Sequence, residues 1–234
     1  MSDTKTSKLP LLLIFLTVFI DLIGFGIVIP LMPIYTLPLL NTNVKALAKF
    51  VYDFIQFKNY TDLILIGNSL GGHVALVYVR DHSQKVKALV LTGSSGLYEN
   101  AMGGTFPRRE DYDFIKQKVE ITFYDPKTAS KELVDECYAI VNDKGKLIRI
   151  LSLAKSAIRH NMSDELKDIK IPTCLIWGKQ DTVTPPDVAE EFHRLLPVND
   201  LFWIDKCGHA PMMEQPQEFN DVLEKWLLQL KKLN

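Results

Sequence analysis

Three separated residues of this sequence have the types, the order and the local settings that nucleophilic catalysis requires. Ser69 stands in Gly67-Asn68-Ser69-Leu70-Gly71-Gly72, after an aliphatic run (63–66) that reads as a strand and before a stretch (72–79) that reads as a helix. A sharp strand-to-helix turn brings backbone so close to its flanking positions that a Cβ there would collide, and glycine meets that demand. Such a turn lifts the Ser69 hydroxyl above the sheet edge at a helix N-terminus, where the Leu70 N–H can face a developing oxyanion. A serine hydroxyl stays a weak nucleophile until a base takes its proton and a carboxylate orients that base. Asp181 follows the apolar run CLIW, and His209 follows LFWI and precedes the last helical stretch, so each lies beyond the carboxyl end of a strand.

Each residue also has a plain structural reading. Ser69 can be incidental in a glycine-rich turn, Asp181 a turn former and His209 a surface residue beside glycine. Their joint occurrence, in order and each just after a strand, favours the catalytic reading. Asp125, Asp187 and Asp205 are rivals for the acid; Asp205 is nearest to His209 in the sequence but sits where a strand ends. His73, His82, His160 and His193 are expected to be structural, the last three in charged, surface-like settings.

The elements that must position these residues alternate. Residues 43–57 carry Val44, Leu47, Ala48, Val51, Phe54 and Ile55 at helical spacing. Strands are expected at 63–66, 86–91, 173–177 and 201–204, and helices at 72–79, 188–195 and 216–230, which predicts an α/β fold with a mostly parallel sheet. Residues 108–160 break the alternation with charged helical stretches, interrupted at Asp125-Pro126 and Asp143-Lys144-Gly145. Phe106, Tyr112, Phe114, Phe123 and Tyr124 are expected to pack or line that helical cap.

Composition narrows the function classes. Lys+Arg 27 against Asp+Glu 28 leaves a net charge of -1 with no basic stripe, which argues against a nucleic-acid partner. Cys137, Cys174 and Cys207 are scattered and odd in number, so neither a disulfide framework nor a paired-cysteine metal clamp is expected, and no metal or other cofactor. Residues 9–44 hold a single charge, Asp21. About 20 apolar residues cross a bilayer, so residues 9–31 are expected to form one long apolar helix and to tether the chain to a membrane. The competing reading is a buried element of a cytoplasmic protein. Lys5 and Lys8 precede the run as in a signal peptide, but no small-x-small cleavage site follows, which favours an uncleaved anchor.

Two resemblances rest on these residues. FIDLIGFGIVIPLMPIY, with Asp21, Gly24, Gly26 and Pro30, resembles the first transmembrane helix of major facilitator superfamily drug antiporters of the tetracycline-efflux type. The further spans of such a transporter are absent, so Asp21 is not expected to run a transport cycle. Residues 33–232, through GNSLGGHVAL, IPTCLIWGKQDTVTPP and IDKCGHAPMMEQPQEFN, resemble the carboxyl-terminal two thirds of an α/β-hydrolase. The nearest look is to meta-cleavage-product (carbon–carbon bond) hydrolases and small carboxylesterases. The resemblance implies Ser69 as nucleophile, His209 as base, Asp181 as orienting acid, Leu70 N–H as an oxyanion donor, and a small ester or diketone-type substrate handled through an acyl-enzyme. Serine at the elbow argues against the dehalogenase and epoxide-hydrolase branches. Carbon–carbon hydrolases often carry Trp where this chain has Ala210, so an ester is at least as well supported.

That family normally spends more residues before the elbow, on a hairpin, on a strand ending in a His-Gly loop that gives a second oxyanion donor, and on a further helix and strand. No His-Gly precedes Ser69 here, and Gly24-Phe25-Gly26 is no substitute. The expected organisation is an apolar segment at 1–35, a hydrolase core at 36–97 lacking its amino-terminal strands, a helical cap at 98–165 and the rest of the core at 166–234. VIPLMPIY is the expected junction between the two resemblances. Two function classes stay open: a serine hydrolase, impaired by the missing oxyanion loop, and a non-catalytic chimeric or membrane-anchored fragment with a relic triad.

Overall fold

The structure, a computed structural model, describes residues 43–99 and 108–233. The first helix, α1 (Val44–Lys58), starts where the Asn43 side chain accepts the Ala46 N–H at 2.9 Å and stops at Asn59, which turns left-handed at φ 51. Its apolar spacing buries Val44, Leu47, Ala48 and Ile55. The chain then alternates through β1 (Leu63–Asn68), α2 (Leu70–His82), β2 (Val86–Thr92), a helical insertion, β3 (Thr173–Gly178), α7 (Pro186–Leu195), β4 (Asn199–Ile204), the short α8 (Pro211–Glu214) and α9 (Pro216–Leu233). The insertion consists of α3 (Tyr112–Glu120), α4 (Lys131–Asn142), α5 (Lys144–Arg159) and the single turn α6 (Ser163–Leu166).

The four strands pair in parallel in the order β1-β2-β3-β4. A parallel sheet needs cover on both faces, and the strands show it: all six residues of β3 are buried, and in β2 only Lys87 is exposed. On one face Leu89, Leu91, Leu175 and Trp177 pack with Val44 and Leu47 of α1, Leu76 of α2 and Phe192 of α7. On the other, Ala88, Val90, Cys174 and Ile176 pack with Phe219, Trp226 and Leu230 of α9. In parallel strands every carboxyl end lies at the same sheet edge, so the turns after β1, β2, β3 and β4 open onto one surface. Among the described residues β1 pairs on one side alone, with β2.

The expected strands and long helices are present, extended at their ends: α2 begins directly after Ser69, and β4 begins at Asn199. The insertion is helical as expected, and Asp111, Ser130 and Asp143 cap its three long helices through side-chain oxygens. The one-turn helices α6 and α8 have no sequence signature because four residues carry no period. The apolar stretch 9–31, with Asp21, Gly24, Gly26 and Pro30, lies outside the described residues, as does Phe106. Among the described residues no helix is long and apolar enough to cross a membrane.

His160 is structural, but the surface-like setting expected for it is corrected. His160 closes α5 half-buried, with its Nδ1 2.9 Å from Nε2 of the fully buried His73 on α2 and the two ring planes parallel to within 4°. This contact joins the helical insertion to the elbow helix across 87 residues of sequence, which no local pattern reveals. Among the described residues the other ring nitrogen of His73 is buried without a partner. The economical tautomer therefore has Nε2–H donating to His160 and a bare Nδ1, since an unpaired buried N–H costs more. Burial first, then the charge-forming His160 and Arg80, pull His73 down to about 3. A histidine that resists protonation when folded but accepts it when unfolded lends stability that is complete above its ordinary value of 6.5 and fades as pH falls toward 3. Urea unfolding across that range should show stability rising with pH, His73 contributing a slope of up to about 1.4 kcal/mol per pH unit that His73→Leu removes.

Candidate active site

Ser69 sits between β1 and α2 at φ 50 and ψ −123, outside the regions that L-residues prefer. A Cβ on Gly67 would lie 2.5 Å from the backbone of Gly71 and Gly72, so only glycine fits beneath this turn. Four backbone hydrogen bonds hold the serine in place. Its N–H donates to the Thr92 carbonyl at 3.0 Å, and its carbonyl accepts from Gly72, His73 and Ser95. Leu70 opens the helix, and its N–H is one of the first-turn groups that no intrahelical acceptor serves.

Asp181 lies in the loop after β3 and its side chain is fully shielded from solvent. Oδ1 accepts the Val183 and Thr184 N–H groups at 2.8 and 3.0 Å. Oδ2 accepts the Thr184 hydroxyl at 2.8 Å and faces His209 Nδ1 at 2.9 Å. With three donors already aimed at it the carboxyl group acts as an acceptor, so Nδ1 carries the imidazole proton and Nε2 is left with a free lone pair. That is the tautomer a general base needs.

His209 lies after β4 and is buried. Its N–H donates to Thr122 O at 2.9 Å, and its carbonyl accepts from the Asn68 side chain at 3.0 Å. Asn68 also donates to the carbonyl and hydroxyl oxygens of Thr92, so the residue preceding the serine ties the His209 loop to the end of β2. Asp205 is exposed and contacts Gln180 and Lys179, away from the imidazole. Of the rival aspartates, Asp187 accepts from the Tyr98 hydroxyl at the start of α7 and Asp125 caps a turn in the insertion. Asp181 and His209 are thus brought together beside the elbow. Among the described residues the Ser69 hydroxyl makes no direct hydrogen bond to the imidazole; such contacts often tighten only when substrate binds.

Sequence reasoning missed Thr184 and Asn68. Thr184 stands three residues after Asp181, the spacing at which an aspartate bonds the turn that follows it, and that was the signal available. Asn68 carried none, since its partners are 24 and 141 residues away. Among the described residues no group of three or more His, Cys, Asp or Glu side chains is placed to hold a metal.

A model of the alpha/beta hydrolase family matches residues 8–222. The match takes in the apolar stretch that resembles a transporter helix, and the transporter resemblance gains no support from it. A 2-hydroxy-6-oxononadienedioate/2-hydroxy-6-oxononatrienedioate hydrolase of Burkholderia vietnamiensis is 26% identical over 179 residues, covering 70% of this chain and 61% of its own. A monoacylglycerol lipase of Bos taurus is 23% identical over 207 residues, covering 80% of this chain and 61% of its own. The chain therefore spans about 61% of the length of these curated relatives. Among solved structures, an alpha/beta hydrolase enzyme from the metagenome of sediments of the Mar Chica lagoon, Morocco, is 47% identical with a TM-score of 0.66, over 84% of this chain and 75% of that one. A meta-cleavage product hydrolase of Pseudomonas fluorescens has the same fold, with a TM-score of 0.70 at 19% identity over 81% of this chain and 73% of that one.

The close packing behind the imidazole is testable. Gly93 follows β2 at φ 46, and a Cβ there would sit 2.8 Å from His209 Nδ1 and 3.0 Å from the His209 carbonyl oxygen. Gly93→Ala should cost about 1–3 kcal/mol in urea unfolding from backbone strain alone. It should also shift or broaden the downfield Nδ1–H proton resonance of His209, because the methyl group displaces the ring from Asp181.

Proposed function

The chain belongs to the alpha/beta hydrolase family, and from that premise we propose that it is a serine hydrolase acting on a small acyl substrate through Ser69, His209 and Asp181. The observation that carries this reading is the buried Asp181–His209 pair, 2.9 Å apart, beside a serine on a strained strand-to-helix turn. In this mechanism Ser69 Oγ attacks the substrate carbonyl carbon while its proton passes to His209 Nε2. The carbonyl oxygen becomes an oxyanion that accepts from the Leu70 N–H, a group already oriented by the helix start. Collapse breaks the bond to the leaving group, which takes the proton from Nε2, and leaves an acyl-Ser69. Water then repeats the sequence, giving its proton to Nε2 and releasing the acid and the free serine. Asp181 remains an acceptor throughout, holding Nδ1–H and offsetting the charge of the imidazolium.

The relatives' names support acyl chemistry on two substrate types: 2-hydroxy-6-oxononadienedioate or 2-hydroxy-6-oxononatrienedioate for the bacterial hydrolase and monoacylglycerol for the lipase. We favour an ester here, because Ala210 stands where carbon–carbon hydrolases often carry Trp. The helical insertion serves as the cap in this reading. Its turn at 121–124 bonds to both functional loops, through Thr122 O with His209 N–H and through Ile121 O with the Thr182 hydroxyl.

A fluorophosphonate probe tests the proposal. The folded chain should label covalently and Ser69→Ala should not. Hydrolysis of p-nitrophenyl acetate should depend on Ser69, and Asp181→Asn should lower kcat by up to about 10⁴-fold by allowing the wrong tautomer. A folded chain that takes no label would overturn the reading and leave the non-catalytic fragment.

A further inference from the structure

The loop that carries His209 is held by a carboxylate that the mechanism above does not use. Glu214 closes the one-turn helix α8 that follows the histidine. Its Oε1 accepts the N–H of Gly208 at 2.9 Å and of Ala210 at 3.2 Å, the two amides that flank His209. The same oxygen faces the Cys207 thiol at 3.8 Å. Burial first, and then the Glu214 charge, push that thiol up, which keeps it a neutral donor. Oε2 accepts the N–H of Tyr124, from the turn after α3, at 2.6 Å. The N–H of His209 itself donates to Thr122 in the same turn. Three consecutive amides of the base loop, 208 to 210, are thus all bound, two of them by one side chain that also grips the helical insertion.

We propose that Glu214 is a positioning residue for the base: it fixes the backbone of His209 while Asp181 fixes the ring, and it ties both to the turn at 121–124. Hydrogen bonds to an ionised carboxylate are shorter and roughly twice as strong as those to a neutral acceptor. A one-turn helix has little stability of its own, so the placement of the loop depends on this side chain rather than on α8. Glutamine at 214 keeps the shape but supplies one acceptor oxygen, so either the 208/210 amides or the Tyr124 amide would face an NH₂ donor.

The inference rests on the serine-hydrolase reading, and its test separates the two. In Glu214→Gln, p-nitrophenyl acetate turnover and the rate of fluorophosphonate labelling should fall about 10–100-fold through misplacement of the base, with KM little changed. The Nδ1–H resonance of His209 should shift while the far-UV spectrum stays that of the parent. A parent chain without Ser69-dependent labelling fails the serine-hydrolase reading. A parent that labels, beside a folded Glu214→Gln that labels equally fast with the His209 resonance unmoved, overturns the positioning role alone. If the variant does not fold, hydrogen exchange on the unaltered chain decides. The amides of Gly208 and Ala210 should be protected comparably to those of β3, and exchange at the rate of an open loop would refute the proposal.

Discussion

A carboxylate taken wholly out of water organises the carboxyl-terminal half of this protein. Burying an ionised group is costly unless its oxygens are saturated with donors. For Asp181 the donors are the Val183 and Thr184 amides, the Thr184 hydroxyl and the imidazole of His209. Meeting them bends residues 181–184 back over their own strand, where the Thr184 carbonyl accepts from the Trp177 indole at 2.8 Å. Trp177 packs on Phe192, their ring centroids 5.9 Å apart, so the same loop that satisfies the charge also seats α7 on the sheet. The orientation of the imidazole is one outcome of this requirement, and the path of the chain from β3 to α7 is another.

The parallel sheet makes such a meeting possible between residues far apart in the chain. β3 and β4 pair with Gly178 opposite Ile204, so the loops bearing Asp181 and His209 leave adjacent strands at the same level. β1 and β2 pair with Asn68 opposite Thr92, which places the serine turn level with the end of β2. The crossovers from β1 to β2 and from β3 to β4 run through α2 and α7, whose apolar faces cover the sheet, so the burial that stabilises the fold and the alignment that builds the site come from the same packing. Gln180 adds a local clamp, exchanging hydrogen bonds with both backbone groups of Cys207 across the two loops.

What the sequence revealed and what it hid divide along the range of the interactions. The aliphatic runs of β1, β2 and β3, the amphipathic spacing of α1 and the glycines around Ser69 are local patterns, and each was legible. That Asp181 rather than Asp205 lies beside the His209 ring was legible too, since Asp181 follows a strand in a loop kept open by TVTPP while Asp205 stands where a strand ends. The pairing of His73 with His160 was not, because a charged neighbourhood in sequence says nothing about a partner buried 87 residues away. Glu214 was hidden for a different reason. It lies just before the expected last helix (216–230), and its partners are backbone amides, which leave no mark on residue type.

The end of β2 is the element that joins the Ser69 turn to the His209 loop. Ser69 is held in a conformation of the kind that costs about 1–3 kcal/mol, and such strain persists only where the surroundings over-determine it. Two of its four backbone hydrogen bonds come from the end of β2 and the residues just after it, through the Thr92 carbonyl and the Ser95 N–H. That segment also anchors Asn68, whose side chain holds the His209 carbonyl, and it passes against the imidazole at Gly93. The stretch 92–95 reaches both the strained turn and the His209 ring directly, so any movement of β2 relative to β1 and β4 would disturb Ser69 and His209 together. The buried aliphatic residues of β2, packed on both faces, therefore do more than stabilise the sheet: they fix where the Ser69 turn stands relative to the His209 loop.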